Sequence, residues 1–193
     1  MGKFKKVKLG KIVEFINPVP VKKSAYETEY KGIFPANIVD GKIESFDYVE
    51  INLKKEVENK YFLQPGDVIF QVKGSNFEAV LIDEEHKGVL ASNSYMILRV
   101  NSKEIEPKYL QWLLNTKTVL EHLDSKTSGA IIKIIRKSSL ENLELIVPSL
   151  EKQQEIAEMI LNFEFEKENF IKYIETKKKL IETVIMEKIG EVY

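Results

Sequence analysis

Two patterns of apolar and polar residues divide the chain near residue 148. Before it, apolar residues fall in short runs separated by turn residues, the signature of strands. After it they recur at steps of three and four, with no Pro or Gly until Gly190.

Val7 to Leu9 reads as a short strand. It leads into a helical turn through Ile12, Val13 and Ile16, stopped by Asn17-Pro18-Val19-Pro20, since proline lacks a donor and restricts its neighbour. Residues 21–30 are polar and read as loop. Gly32-Ile33-Phe34 and Ile43-Glu44-Ser45-Phe46 flank a turn at Asp40-Gly41. Pro65-Gly66 makes a turn before the buried strand Asp67-Val68-Ile69-Phe70. Phe77 to Ile82, Gly88 to Leu90 and Tyr95 to Val100 continue as strands, suggesting a curled sheet or partial barrel. Pro107 suits the first position of a helix. Leu110, Leu113, Leu114, Leu120 and Leu123 then form one helical stripe, ended by Thr127-Ser128-Gly129. Ile131 to Ile135 and Leu143 to Val147 are the last two strands.

Pro148 closes this part and Ser149 is a plausible N-cap, with Glu151 and Glu155 near the positive end of the helix dipole. The heptad positions that follow are Ile156, Ile160, Phe163, Lys167, Phe170, Ile174, Lys177, Ile181, Val184 and Lys188. Seven of the ten are apolar, a coiled-coil seam with polar interruptions. A helix of about 40 residues extends roughly 60 Å. Its seam needs a partner helix, and this chain offers no second long one. The expected architecture is therefore α/β (α+β): a strand-rich globular domain over 1–148, then a long projecting coiled-coil helix over 149–193.

Composition excludes more than it selects. The chain has no Cys, so disulfides and thiolate metal sites are out. No segment approaches the ~20 apolar residues of a membrane span, and the basic start Met1-Gly2-Lys3-Phe4-Lys5-Lys6 has no apolar stretch behind it to make a signal peptide. A cytoplasmic location is the expectation. Residues 1–148 carry 22 Lys/Arg against 20 Asp/Glu, and residues 149–193 carry 7 against 10. Neither part has the basic excess of a non-specific DNA binder, so nucleic-acid contact needs a local patch or a partner.

Several motifs, taken in order, carry a resemblance. They are Leu63-x-Pro65-Gly66-Asp67-Val68-Ile69; Ser92-Asn93-Ser94-Tyr95; Pro107-x-Tyr109-Leu110 with its leucine-rich helix; and Pro148-Ser149-Leu150-x-x-Gln153-x-x-Ile156-Ala157. Over essentially its whole length the chain resembles the specificity (S) subunits of type I restriction–modification systems. Their target-recognition domains carry L-x-P-G-D-[IV], and their spacer helices begin P-P-L-x-x-Q-x-x-I-[AV]. Ser149 replaces the second Pro of that pattern. Family members usually carry two recognition domains and two spacer helices in tandem, whereas this chain has one of each and looks like a half-subunit or a fragment of one.

The resemblance implies sequence-specific recognition of double-stranded DNA without catalysis or cofactor. Methyltransferase (M) and restriction (R) subunits, the implied partners, perform the chemistry. Gln71-Val72-Lys73-Gly74-Ser75-Asn76 combines a cation, amides and a hydroxyl, groups that read base edges and phosphates. A solvated hairpin loop has the same composition, and only the resemblance implies DNA contact for Lys73, Ser75 and Asn76. Thr127, Ser128, Lys133 and Lys137, with Arg136, form a second polar-basic cluster; Lys22 and Lys23, with Ser24 and Tyr26, form a third. Ile156, Ile160, Phe163, Phe170, Ile174, Ile181 and Val184 are the candidate dimerisation residues, pairing two copies through antiparallel helices.

Enzymatic readings find little support. Asn17-Pro18-Val19-Pro20 lacks the aromatic with which the Asn-Pro-Pro-Tyr loop of amino-methyltransferases stacks on a flipped base. No Gly-rich cofactor loop follows a strand. Asp67 with Gln71-Val72-Lys73 resembles a nuclease's acid-plus-Lys arrangement, but metal binding needs paired carboxylates and Gln71 occupies the second position. Asp67 is therefore expected to accept turn hydrogen bonds. His86 and His122 suit surface or capping roles, and no metal site is expected. The competing reading is a structural or regulatory half-subunit that pairs with another specificity subunit without reading DNA itself.

Overall fold

The computed structural model describes residues 5–51, 56–127 and 132–190. The chain divides into two compact units, Met1–Gln153 and Gln154–Tyr193.

In the first unit, β1 (Lys5–Lys8) leads through a 3-10 turn (Leu9–Lys11) to β2 (Val13–Ile16), β3 (Val21–Lys23), β4 (Tyr30–Ile33), β5 (Ile38–Val39), β6 (Lys42–Ile43) and β7 (Asp47–Ile51). Then come β8 (Asp67–Gln71), β9 (Lys73–Gly74), β10 (Ala79–Leu81), β11 (Leu90–Ala91) and β12 (Tyr95–Val100). Helices α1 (Pro107–Leu114) and α2 (Lys117–Asp124), β13 (Lys133–Ile134), α3 (Lys137–Glu141) and β14 (Glu144–Val147) complete it. Helix α4 runs from Leu150 to Gly190.

Two four-stranded sheets form the body. One has the order β10-β8-β12-β2 with antiparallel neighbours; the other has the order β11-β4-β7-β3 with a single parallel pair, β11 with β4. Ile33 and Ala91 from the second sheet join Ile16, Ile69, Val80 and Ile97 from the first in one core, with Leu63 and Ile82 from the connecting segments. Fully buried side chains of this size contribute about 1.5–3 kcal/mol each over exposure. β8 is buried at every residue, which is why Val68-Ile69-Phe70 is a continuous apolar run. Helix α1 packs on β10 and β8 with Leu110 and Leu114 buried.

The turn chemistry follows the residues. Asp40 and Gly41 both have positive φ, 51° and 76°, as the two-residue hairpin between β5 and β6 requires. Gly66, at φ 88°, follows Pro65 in a turn closed by Asp67 N–H donating to the Gln64 carbonyl at 2.9 Å.

Four segments differ from the sequence expectation. Val13–Ile16 is a strand rather than a helical turn, because pairing with β12 offers the β-branched and aromatic residues a ladder. Residues 21–30 contain β3 and the start of β4, although they are polar. Both strands pair with β7, and a backbone partner needs no apolar side chain. The leucine-rich helix is broken into α1 and α2. Asn115 turns its amide to the edge of β10, accepting from Ala79 N–H and donating to Ala79 C=O, both at 2.8 Å, while Thr116 adopts an extended backbone. Of the strand expected over Ile131–Ile135, the pair Lys133–Ile134 is found; Ile131 lies outside the described residues.

Helix α4 begins where the caps predict. Ser149 Oγ accepts from Lys152 N–H at 3.4 Å, and Gln153 N–H donates to the Ser149 carbonyl at 3.0 Å. Along the helix Phe163, Phe170, Ile174, Ile181 and Val184 are exposed, while Ile156 and Ile160 are half-buried. Met159, Leu161, Phe165, Tyr173, Leu180 and Met186 are exposed as well, so apolar surface extends beyond the heptad positions.

Candidate nucleic-acid interface

Two of the three polar-basic clusters become one in the structure. β9 pairs antiparallel with β13, setting Lys133 opposite Gly74 and Ile134 opposite Lys73. Ile135 N–H donates to the Val72 carbonyl at 2.9 Å and extends the pairing. The small-polar segment joins them. The Ser94 carbonyl accepts from Val72 N–H at 2.8 Å and from Lys73 N–H at 3.3 Å. Ser75 and Asn76 follow as exposed residues between the half-buried Gly74 and the buried Phe77. Exposed polar side chains beside lysines on one strand pair have the chemistry to touch base edges and phosphates.

The lysines are not equivalent. Lys133 Nζ lies 2.6 and 2.8 Å from the two Asp124 carboxylate oxygens. Asp124 closes α2, where the dipole disfavours an acid, and Lys133 offsets that charge. With both side chains 44% exposed, the pair is worth only about 0–1 kcal/mol and does not prevent Lys133 from meeting a phosphate. Lys73 makes no ion pair among the described residues. Thr127 Oγ1 donates to the Asp124 carbonyl at 2.9 Å, and Ser128 lies outside the described residues. Lys137 is exposed on α3, paired with Glu141 at 3.6 Å and placed over the Phe15 ring.

The third cluster sits elsewhere. Lys22 and Lys23 are on β3, the edge of the other sheet, and Lys23 contacts Asp47 at 2.6 Å and the Phe34 ring. This contact holds the Asp47 carboxyl below the usual carboxylate range, against its desolvation. Lys23 is thus engaged within its own sheet, while Lys22 remains exposed.

Asp67 accepts the expected turn hydrogen bond, from Gln64 N–H at 2.9 Å. It also forms a buried fork with Arg99, whose Nε and Nη2 donate to its two oxygens at 2.8 and 2.7 Å. Arg99 donates onward to the carbonyls of Lys60 and Phe62. The carboxylate that superficially suggested a nuclease is committed to an arginine. His86 also has a local role: its Nδ1 lies 2.6 Å from Asp83 Oδ1 across one turn.

Three contributors to the candidate interface have roles the sequence did not show: Gln71, read as one of the loop's amides, is buried beneath it; Ser94, part of the small-polar motif, joins it through backbone; and Asp124, not singled out, pairs Lys133. Gln71 also stands out as a polar residue inside the buried run Val68 to Val72.

Comparison with known proteins bears on the fold and the family. The family model for the type I restriction modification DNA specificity domain matches residues 1–184. A Methanocaldococcus jannaschii protein, the type I restriction enzyme MjaVIII specificity subunit, is 26% identical over 144 residues, covering 69% of this chain and 33% of the relative. The HsdS subunit from Thermoanaerobacter tengcongensis superposes with a TM-score of 0.60 at 19% identity, over 83% of this chain and 42% of that one. A type I S subunit from M. genitalium gives 0.61 at 19% identity, over 92% and 43%. The chain therefore spans about a third of that curated relative and less than half of these solved subunits. The family model covers nearly the whole chain, so this chain belongs to the type I restriction–modification DNA specificity family.

Proposed function

We propose that the chain is a non-catalytic, sequence-specific double-stranded DNA recognition subunit of a type I restriction–modification system. In this reading it directs methyltransferase and restriction subunits to their target. Residues 1–148 read DNA, and residues 149–193 form the spacer and dimerisation helix. The observation that carries the reading is the β9–β13 pairing, which gathers Lys73, Ser75, Asn76 and Lys133 in a chain of the specificity family.

The two side-chain types should separate in binding assays of the chain assembled with methyltransferase subunits. Lys73→Ala removes one phosphate contact. It is expected to weaken binding on all sequences alike and to flatten the salt slope by about one unit. Asn76→Ala is expected to relax preference at one base pair by about 1–3 kcal/mol. Unchanged affinity and preference in both variants would remove this loop from the interface. The isolated chain is expected to bind weakly at physiological salt, because its nearly neutral charge releases few counterions.

The exposed stripe of α4 supports a homodimer with antiparallel helices. Two identical reading domains in two-fold relation would read an interrupted palindrome. Ile174→Asp places a charge in that seam and is expected to weaken self-association roughly 100-fold, or about 3 kcal/mol. Analytical ultracentrifugation at tens of micromolar measures it. A wild-type monomer under those conditions would end the homodimer reading.

A further inference from the structure

β8 ends at Gln71, whose side chain is 6% exposed in spite of its amide. Its backbone N–H donates to the Glu78 carbonyl at 2.8 Å, closing the neck of the segment between β8 and β10. Its Nε2 donates to the Lys73 carbonyl at 3.0 Å. One residue further, Gly74 holds φ +137°, a conformation that L side chains rarely adopt. A Cβ built on Gly74 would lie 2.5 Å from the same Nε2. The amide thus occupies the space a side chain at position 74 would need. Beyond this pair the exposed polar side chains of Ser75 and Asn76 emerge, before the chain is buried again at Phe77.

We propose that Gln71 and Gly74 form a lock that fixes the course of the chain under Ser75 and Asn76, making Gln71 a positioning residue for base reading. The inference rests on the reading of residues 73–76 as a DNA-contacting loop. Its physical basis is the tolerance of base recognition, which needs donors and acceptors held within about 0.5 Å of the productive geometry. A short loop on a free backbone would meet that requirement only by losing entropy on binding. Here the neighbouring backbone is already pinned by Ser94 on one side and β13 on the other. The Gln71 amide holds the Lys73 carbonyl from inside. The Gln71 side chain is buried beneath the loop, so it governs which base is preferred rather than how strongly phosphates are held.

The test uses the full chain assembled with methyltransferase subunits, presented with a duplex library carrying a randomised core, with sequencing of the bound fraction. Gln71→Met keeps the buried volume and removes the donor; Gly74→Ala drives the amide out of its place. Both are expected to lower preference about tenfold at the base pair that Asn76→Ala relaxes, a step typical of losing a base contact. Affinity for a duplex of unrelated sequence should stay at the wild-type value for Gln71→Met, and the thermal melting midpoint should fall by only the few degrees that one lost hydrogen bond costs. Amide hydrogen exchange at Lys73 should accelerate in the same variant. If Asn76→Ala relaxes the motif while Gln71→Met retains it, the loop reads DNA but the lock is not what sets it, and the inference fails alone. If the wild type enriches no motif, or Asn76→Ala leaves it unchanged, the reading of the loop fails and the inference with it. A fall in affinity for every sequence in Gln71→Met, with the motif intact, would also overturn it, since that is the mark of structural damage alone.

Discussion

Asp67→Ala is expected to destabilise the first unit by about 3–5 kcal/mol, since removing one partner of a buried pair leaves the other charge uncompensated. Asp67 is 2% exposed and Arg99 18% at the side chain, so water only partly rescues the stranded guanidinium. The value should fall toward the lower end for that reason. The loss reaches beyond the pair. Arg99 also holds the carbonyls of Lys60 and Phe62, which lead into the core residue Leu63. Gln64 N–H loses its acceptor in the Pro65-Gly66 turn. Urea denaturation should show a lower midpoint with an unchanged slope. The paired change Asp67→Leu with Arg99→Met should recover much of the loss, because replacing a buried ion pair by apolar residues is often neutral or stabilising. A single Asp67→Ala variant within 0.5 kcal/mol of wild type would show that the fork contributes nothing net.

Gln153→Ala is the second large effect. This side chain is completely buried in the first turn of α4, and its amide makes three hydrogen bonds. Oε1 accepts from Glu106 N–H at 2.8 Å, and Nε2 donates to the carbonyls of Glu104 at 2.8 Å and Pro148 at 2.9 Å. The substitution leaves one N–H and two carbonyls without these partners and opens a cavity. At about 1 kcal/mol for each lost bond, the expected loss is about 3 kcal/mol. Gln153→Glu should be no better, because a carboxylate keeps the acceptor but faces two carbonyls it cannot donate to. Hydrogen exchange at Glu106 N–H should accelerate in Gln153→Ala, as the direct readout of the lost acceptor, and stay near wild type in Gln153→Glu. Protection at that amide equal to wild type in Gln153→Ala would mean that the chain start of α1 is held by something else.

These two residues also show how a motif can be legible before its reason is. Asp67 and Gln153 stand out in the sequence as members of short patterns. For Asp67 local chemistry supplies part of the reason, a turn following Pro65-Gly66. The larger part, Arg99, lies 32 residues away in β12 and is brought alongside only because β12 pairs with β8 in the register Arg99 to Asp67. For Gln153 local chemistry supplies only the Pro148 carbonyl; its other two partners, Glu104 and Glu106, belong to the segment leading into α1.

What the chain determined by itself follows from local physics. The turn at Asp40-Gly41 needed only two adjacent residues able to hold positive φ, although the strands it joins are Ile38–Val39 and Lys42–Ile43 rather than the flanks at Gly32–Phe34 and Ile43–Phe46. The buried strand β8 showed as an apolar run bounded by a Pro-Gly turn, and α4 as heptads without Pro or Gly behind a Ser cap. Tertiary structure decided what depends on distant partners. β3 is polar and becomes a strand through β7's backbone. Asn115 breaks a good helical stripe because the edge of β10 offers it two hydrogen bonds. The loop at Lys73 and the segment at Lys133 read as separate basic clusters, and only the ladder between β9 and β13 joins them. The underlying reason is that side-chain periodicity reports which face of an element is buried, whereas hydrogen-bond partners across sheets are set by register, which short polar strands do not encode.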